Sequence, residues 1–128
     1  MRLLLDTHAI IWYVDQDQLL SSSAHSAIDD PGNDILVSAA SIWEIAIKVG
    51  LGKLTLSNAY LPWMNQALAP LGASILPITI EYANVQVALP HHHGDPFDRC
   101  MIAQALFESV QIVSVDSAFD AYGVSRLW

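Results

Sequence analysis

Positive charge and cysteine are what this chain has least of. Five residues are Lys or Arg against thirteen Asp or Glu, for a formal net charge of −8. A protein that grips nucleic acid by neutralising phosphates carries a basic footprint, and this sequence has none. Two classes of partner remain. One is not nucleic acid at all, such as a basic protein. The other is reached through divalent cations that the acids gather and that supply the missing charge. The lone Cys100 excludes an internal disulfide framework, and its place in a helical pattern reads as core rather than nucleophile. Although 53% of the residues are hydrophobic, no apolar run approaches the ~20 residues that span a bilayer. The opening apolar run is cut short by Asp6 and His8, unlike a signal peptide. These absences describe a soluble, cytoplasmic protein with no membrane partner. Residues 1–128 read as one domain, long enough to bury a core.

What is present is an alternation. Short apolar runs at 2–5, 35–37, 74–78 and 111–115 read as buried strands, and 125–128 as a short final one. Helical spacing fills 8–14, 21–28, 41–50, 57–71, 80–88 and 96–109. Thr7, Ser21, Thr79 and Asp95 stand where N-caps belong, and Gly72 where a helix closes. Strands alternating with helices predict a parallel sheet covered on both faces. Trp43 and Trp63 are expected in the core. Phe97, Met101, Ala105 and Leu106 form the expected inner stripe of the 96–109 helix.

Four acids stand at the edges of apolar runs. Asp6 and Asp116 fall at the carboxyl ends of strands, where open α/β sheets form their crevice. Glu44 and Asp98 fall near the starts of helices. Three of them have a plain structural reading. Asp6 can accept the N–H groups of the next helix, and Asp98 can offset the helix dipole in a first turn. Glu44 either lies on an exposed stripe paired with Lys48 at i+4, or points inward and needs a partner. Asp120 is close enough to Asp116 to replace it. The run His91-His92-His93 reads as a solvated loop, because adjacent side chains do not converge, and zinc-site spacing is missing. If the four carboxylates meet, they repel unless cations or protons neutralise them. Hard oxygen ligands suit Mg²⁺ or Mn²⁺, which can activate water for phosphodiester hydrolysis.

Longer segments are more specific than four acids. Leu4-Leu5-Asp6-Thr7-His8, the stretch from Val37 to Lys48 with Ser41-Ile42-Trp43-Glu44, His93-Gly94-Asp95-Pro96-Phe97-Asp98-Arg99 with Ile102-Ala103-Gln104-Ala105, and Val113-Ser114-Val115-Asp116 with Phe119 and Tyr122-Gly123 follow one another in order. With the closing Arg126-Leu127-Trp128 they cover nearly the whole chain. Together they resemble the PIN-domain family, and within it the VapC-type toxin ribonucleases of type II toxin–antitoxin modules. Two departures leave the acids untouched: Cys100-Met101 where Leu or Met is usual, and Ser114-Val115 where Thr and a polar residue are frequent. The resemblance implies a three-layer α/β/α sandwich with a mainly parallel sheet of four or five strands. It implies Asp6, Glu44, Asp98 and Asp116 as catalytic, metal-binding acids, with Thr7 in support, Asp95 as a cap, and Mg²⁺ (alternatively Mn²⁺) as cofactor. It implies an endoribonuclease whose partners are RNA, a cognate antitoxin with a basic side chain reaching the acids, and a second copy in a homodimer, for which surface near Trp12 or Trp63 is expected. An alternative keeps the fold but makes the acids an inactive docking site for a basic antitoxin peptide. A phosphotransfer receiver domain fits poorly, since Asp34 precedes its strand and no Lys follows Lys53.

Overall fold

A computed structural model describes residues 1–128. In chain order the elements are β1 (Arg2–Leu5), α1 (Thr7–Val14), α2 (Ser22–Asp29), β2 (Asp34–Ser38), α3 (Ala39–Gly50), α4 (Tyr60–Leu71), β3 (Ser74–Leu76), α5 (Ile80–Val87), α6 (Pro96–Glu108), β4 (Gln111–Val113), a 3₁₀ helix (Ser117–Tyr122) and β5 (Arg126–Leu127). The strands form one five-stranded sheet in the order β3-β2-β1-β4-β5, and every pairing is parallel. The expected architecture is therefore the observed one. No helix is long and apolar enough to cross a membrane.

Period-2 alternation in β1 divides the core. Leu3 and Leu5 face the layer of α1, α2 and α4, packing with Ile10, Ala24, Trp63 and Met64. Leu4 faces the opposite layer, with Met101 and Ile102 of α6 and Phe119 of the 3₁₀ helix. All three leucines are fully buried, and each contributes roughly 1.5–3 kcal/mol of transfer free energy. The central strand is thereby covered on both sides, as a parallel sheet requires.

Several boundaries differ from the sequence reading for identifiable reasons. The cap of α1 is Asp6 rather than Thr7, which is the first helical residue. Helix α4 starts at Tyr60 rather than 57, because the Asn58 side chain accepts the Ala59 N–H at 2.8 Å in a local turn. β3 stops at Leu76 because Pro77 has no N–H to continue a ladder. Trp63 is buried, but Trp43 is 65% exposed, so only one of the two tryptophans is core. Helix α6 does not present a clean stripe. Phe97 is half-buried and Leu106 is exposed, while residues 101–105 are all buried, because α6 is packed by α5 and α3 as well as by the sheet. Cys100 is half-buried, and burial raises its thiol.

Candidate active site

The carboxyl ends of β1 and β4 lie side by side, with the Asp6 N–H donating to the Val113 carbonyl at 3.1 Å. That register brings the acids after both strands to one rim. Asp6 is buried, and its carboxylate is fully engaged. One oxygen caps α1, accepting from His8 N–H at 2.6 Å and Ala9 N–H at 3.4 Å. The other accepts the hydroxyl of buried Ser114. The Ser114 hydroxyl in turn accepts the Asp116 N–H at 3.0 Å, so a single serine links the two strand-end acids. Burial pushes the Asp6 carboxyl above its ordinary value despite the three hydrogen bonds.

Glu44 resolves the alternative left open by the sequence by doing both things at once. It lies on the buried stripe of α3, yet Oε2 meets Lys48 Nζ at 2.8 Å. Oε1 accepts the Thr7 hydroxyl at 2.6 Å, and Ser41 Oγ lies 3.1 Å from the same Thr7 oxygen. The inward carboxylate thus has the partners its burial demands. The glutamate raises the Lys48 amine, which also senses the negative charges of Asp95 and Asp98.

Helix α6 supplies the other wall. Asp95 is the N-cap, accepting the Phe97 and Asp98 N–H groups at 2.8 and 3.0 Å, and Pro96 follows at the first position. Asp98 therefore sits in the first turn, only partly buried. Its Oδ2 is 2.6 Å from His93 Nε2. Burial is the main reason its carboxyl is pushed up to about 6; the His93 contact opposes the shift, and the nearby charges of Asp95 and Asp6 add to it.

His93, Asp98 and Asp116 each offer a ligand atom, and these lie within 4.8 Å of one another. Of the sequence-predicted acids, this tight group holds Asp98 and Asp116. Asp6 and Glu44 stand behind it, joined through Ser114 and Thr7. Asp120 is turned away and forms a two-point ion pair with Arg126, at 2.9 and 3.1 Å, which lowers its carboxyl. His93, expected from the sequence in a solvated loop, instead meets Asp98, and its side chain is only 25% exposed. The missed signal was its position five residues before Asp98, immediately ahead of a capped helix, where a loop folding back meets the first turn.

The loop is held by Arg99. This arginine is 5% exposed and donates to the carbonyls of Leu89, Pro90 and His93, and to the Tyr122 hydroxyl, at 2.9–3.4 Å. Asp98 and Arg99, adjacent in sequence, thus serve opposite sides of the helix start.

Comparison with known proteins fits this arrangement. Residues 3–124 match the family described as PIN domain. The chain is 32% identical over 114 residues to Ribonuclease VapC22 of Mycobacterium tuberculosis, covering 88% of this chain and 85% of that protein. In fold it is similar to VapBC2 from Rickettsia felis bound to a promoter DNA fragment, with a TM-score of 0.75 at 13% identity over 98% of this chain and 97% of that one. It is also similar to VapBC-1 from nontypeable Haemophilus influenzae, with a TM-score of 0.64 at 14% identity over 98% and 96% of the two chains. With that match running from β1 through the 3₁₀ helix, and so taking in four of the five strands and the rim they support, the chain belongs to the PIN-domain family.

Proposed function

We propose that this single-domain protein is the ribonuclease toxin of a type II toxin–antitoxin module and hydrolyses RNA phosphodiester bonds with a divalent cation. The observation that carries the reading is the close approach of Asp98 and Asp116, with Asp6 tied to the Asp116 turn through Ser114 and Glu44 bonded to Thr7, in a chain related to Ribonuclease VapC22. The donor set fits the cofactor: hard carboxylate oxygens, of which those of Asp98 and Asp116 lie close together at the surface. In this reading Asp98 and Asp116 are ligands from the open side, and Asp6 and Glu44 complete the acidic wall. Mg²⁺ or Mn²⁺ held there would lower the pKa of a bound water and offset charge on the phosphate.

The remaining roles belong to the chain itself. Thr7 and Lys48 fix Glu44, and Ser114 holds Asp6 against the start of the Asp116 turn. The net charge of −8 argues for a basic partner, such as the antitoxin. Buried Trp63 is unavailable to a second copy, whereas half-buried Trp12 and exposed Trp43 are available.

Purified, antitoxin-free protein is incubated with labelled RNA and Mn²⁺ or Mg²⁺, beside Asp98→Asn prepared identically. Cutting by the wild type, removed by chelator and reduced at least about a thousandfold in the variant, is the expected result. Equal cutting by both would assign the activity to a contaminant. Binding of a basic antitoxin peptide with no cleavage would favour an inactive docking module.

A further inference from the structure

The histidine run and the buried arginine are unused by the acidic reading, and they explain each other. Arg99 is a buried cation with no carboxylate against it; its partners are three loop carbonyls and a phenol. Such a charge costs more than an apolar side chain of similar size unless its position matters. What it positions is the segment 89–93. Two further contacts hold the same segment. The Tyr122 hydroxyl donates to the His93 carbonyl at 3.3 Å, and the His92 ring meets the Tyr122 ring edge-on, with centroids 5.2 Å apart. The backbone leading into His93 and its own carbonyl are thereby held, and its imidazole meets Asp98 with only 25% of the side chain exposed.

We infer that His93 is a metal ligand, so that the cation site is a mixed nitrogen–oxygen site built from His93, Asp98 and Asp116 rather than an all-carboxylate one. This rests on the metal-dependent reading above and adds the identity of a ligand to it. Nε2 and Asp98 Oδ2, 2.6 Å apart, are close enough to share one ion, and Asp116 lies within 4.8 Å of both. The chemical consequence is selectivity. Mg²⁺ strongly prefers oxygen and gives up water reluctantly, whereas first-row transition ions accept imidazole readily. A neutral nitrogen ligand therefore biases this site toward Mn²⁺ over Mg²⁺. Because an imidazole that ligates cannot also donate Nε2–H to Asp98, the contact seen here is exchanged for two bonds to the ion.

The test uses the full chain, stripped of metal, as wild type and as His93→Gln, with Mn²⁺ and Mg²⁺ as probes in calorimetric competition. The variant is expected to lose about tenfold or more in Mn²⁺ affinity and less than about threefold in Mg²⁺ affinity. Pulsed electron paramagnetic resonance of the Mn²⁺-loaded wild type gives a readout independent of the variant's folding. A directly coupled nitrogen is expected, responsive to ¹⁵N-histidine labelling and absent in His93→Gln. Equal losses for the two ions, or no nitrogen coupling, would overturn the histidine ligand while leaving a metal nuclease intact. Failure of the wild type to bind either ion would remove both readings together.

Discussion

The two sides of the acidic rim are built in opposite ways. On the inner side, Asp6 and Glu44 are buried, and every carboxylate oxygen already has a donor from the chain: two helix N–H groups, the Ser114 and Thr7 hydroxyls and the Lys48 amine. On the outer side, Asp98 and Asp116 are more accessible and share little beyond His93 and local turn contacts. The inner acids are structural before they are chemical. The outer acids crowd together with weak internal compensation, which is the condition under which a cation or a proton is most welcome. The difference teaches that removing an inner acid tests folding and function at once, whereas removing an outer one tests function nearly alone.

The largest expected effect separates the structural role of Asp6 from its proposed catalytic one. Asp6→Asn keeps an oxygen for the α1 cap, so RNA cleavage should fall at least about a thousandfold with unfolding free energy within ~0.5 kcal/mol of wild type. Asp6→Ala should lose cleavage equally and also destabilise by about 2 kcal/mol, since both the cap and the Ser114 partner go. Chemical denaturation beside the cleavage assay decides it. Equal stability of the two variants would break the claim that the inner side is structural.

A smaller effect concerns pH in the metal-free protein. Asp98 holds its proton up to about 6 when folded, against 3.8 for the unfolded group, so between those values the folded chain binds more protons. Stability should therefore fall as pH rises from about 4 to about 6 and level off above, by roughly 1–2 kcal/mol once solvent screening is allowed for. Raised Asp6 acts in the same direction. Denaturation midpoints across that range should show the slope in the wild type and a flatter profile in Asp98→Asn. An unchanged slope in the variant would move the strain elsewhere on the rim.

The smallest effect belongs to Lys48. Lys48→Met leaves Glu44 with Thr7 as its remaining side-chain donor and should cost about 1 kcal/mol. It also removes the amine nearest the acids, so Mn²⁺ should bind several-fold tighter. Weaker Mn²⁺ binding would mean that the amine positions Glu44 for the ion rather than competing with it.

The sheet was legible because its signals are local and repeated: Leu3 to Leu5 and Ile35 to Val37 are short apolar runs ended by polar residues, and Ser21, Thr79 and Asp95 cap the helices that follow. The positions of Asp6 and Asp116 followed from that alternation. Glu44 was only half legible, since its inward side depends on a threonine from another helix. His93 was marked in the sequence only by its place just ahead of the capped helix that carries Asp98. Its partner is set by Arg99 drawing a loop back over α6, a contact of tertiary origin that periodicity does not carry. Trp43 misled for the same reason in reverse: an apolar residue on an amphipathic helix need not face the sheet when Ile45 and Glu44 already occupy that side.

The strand order has a consequence for the time at which the molecule becomes whole. β1 lies at the centre of the sheet, and its second neighbour, β4, is among the last elements to be synthesised. Ser114 reaches Asp6 across 108 positions of chain. A ribosome that has delivered the first three strands has released Asp6 and Glu44 but neither Asp98 nor Asp116, and β1 still has one open edge. Closure of that edge and assembly of the rim are therefore the same late event, slowed by long-range pairing. A growing chain of this design therefore carries no complete acidic rim until its synthesis is almost finished.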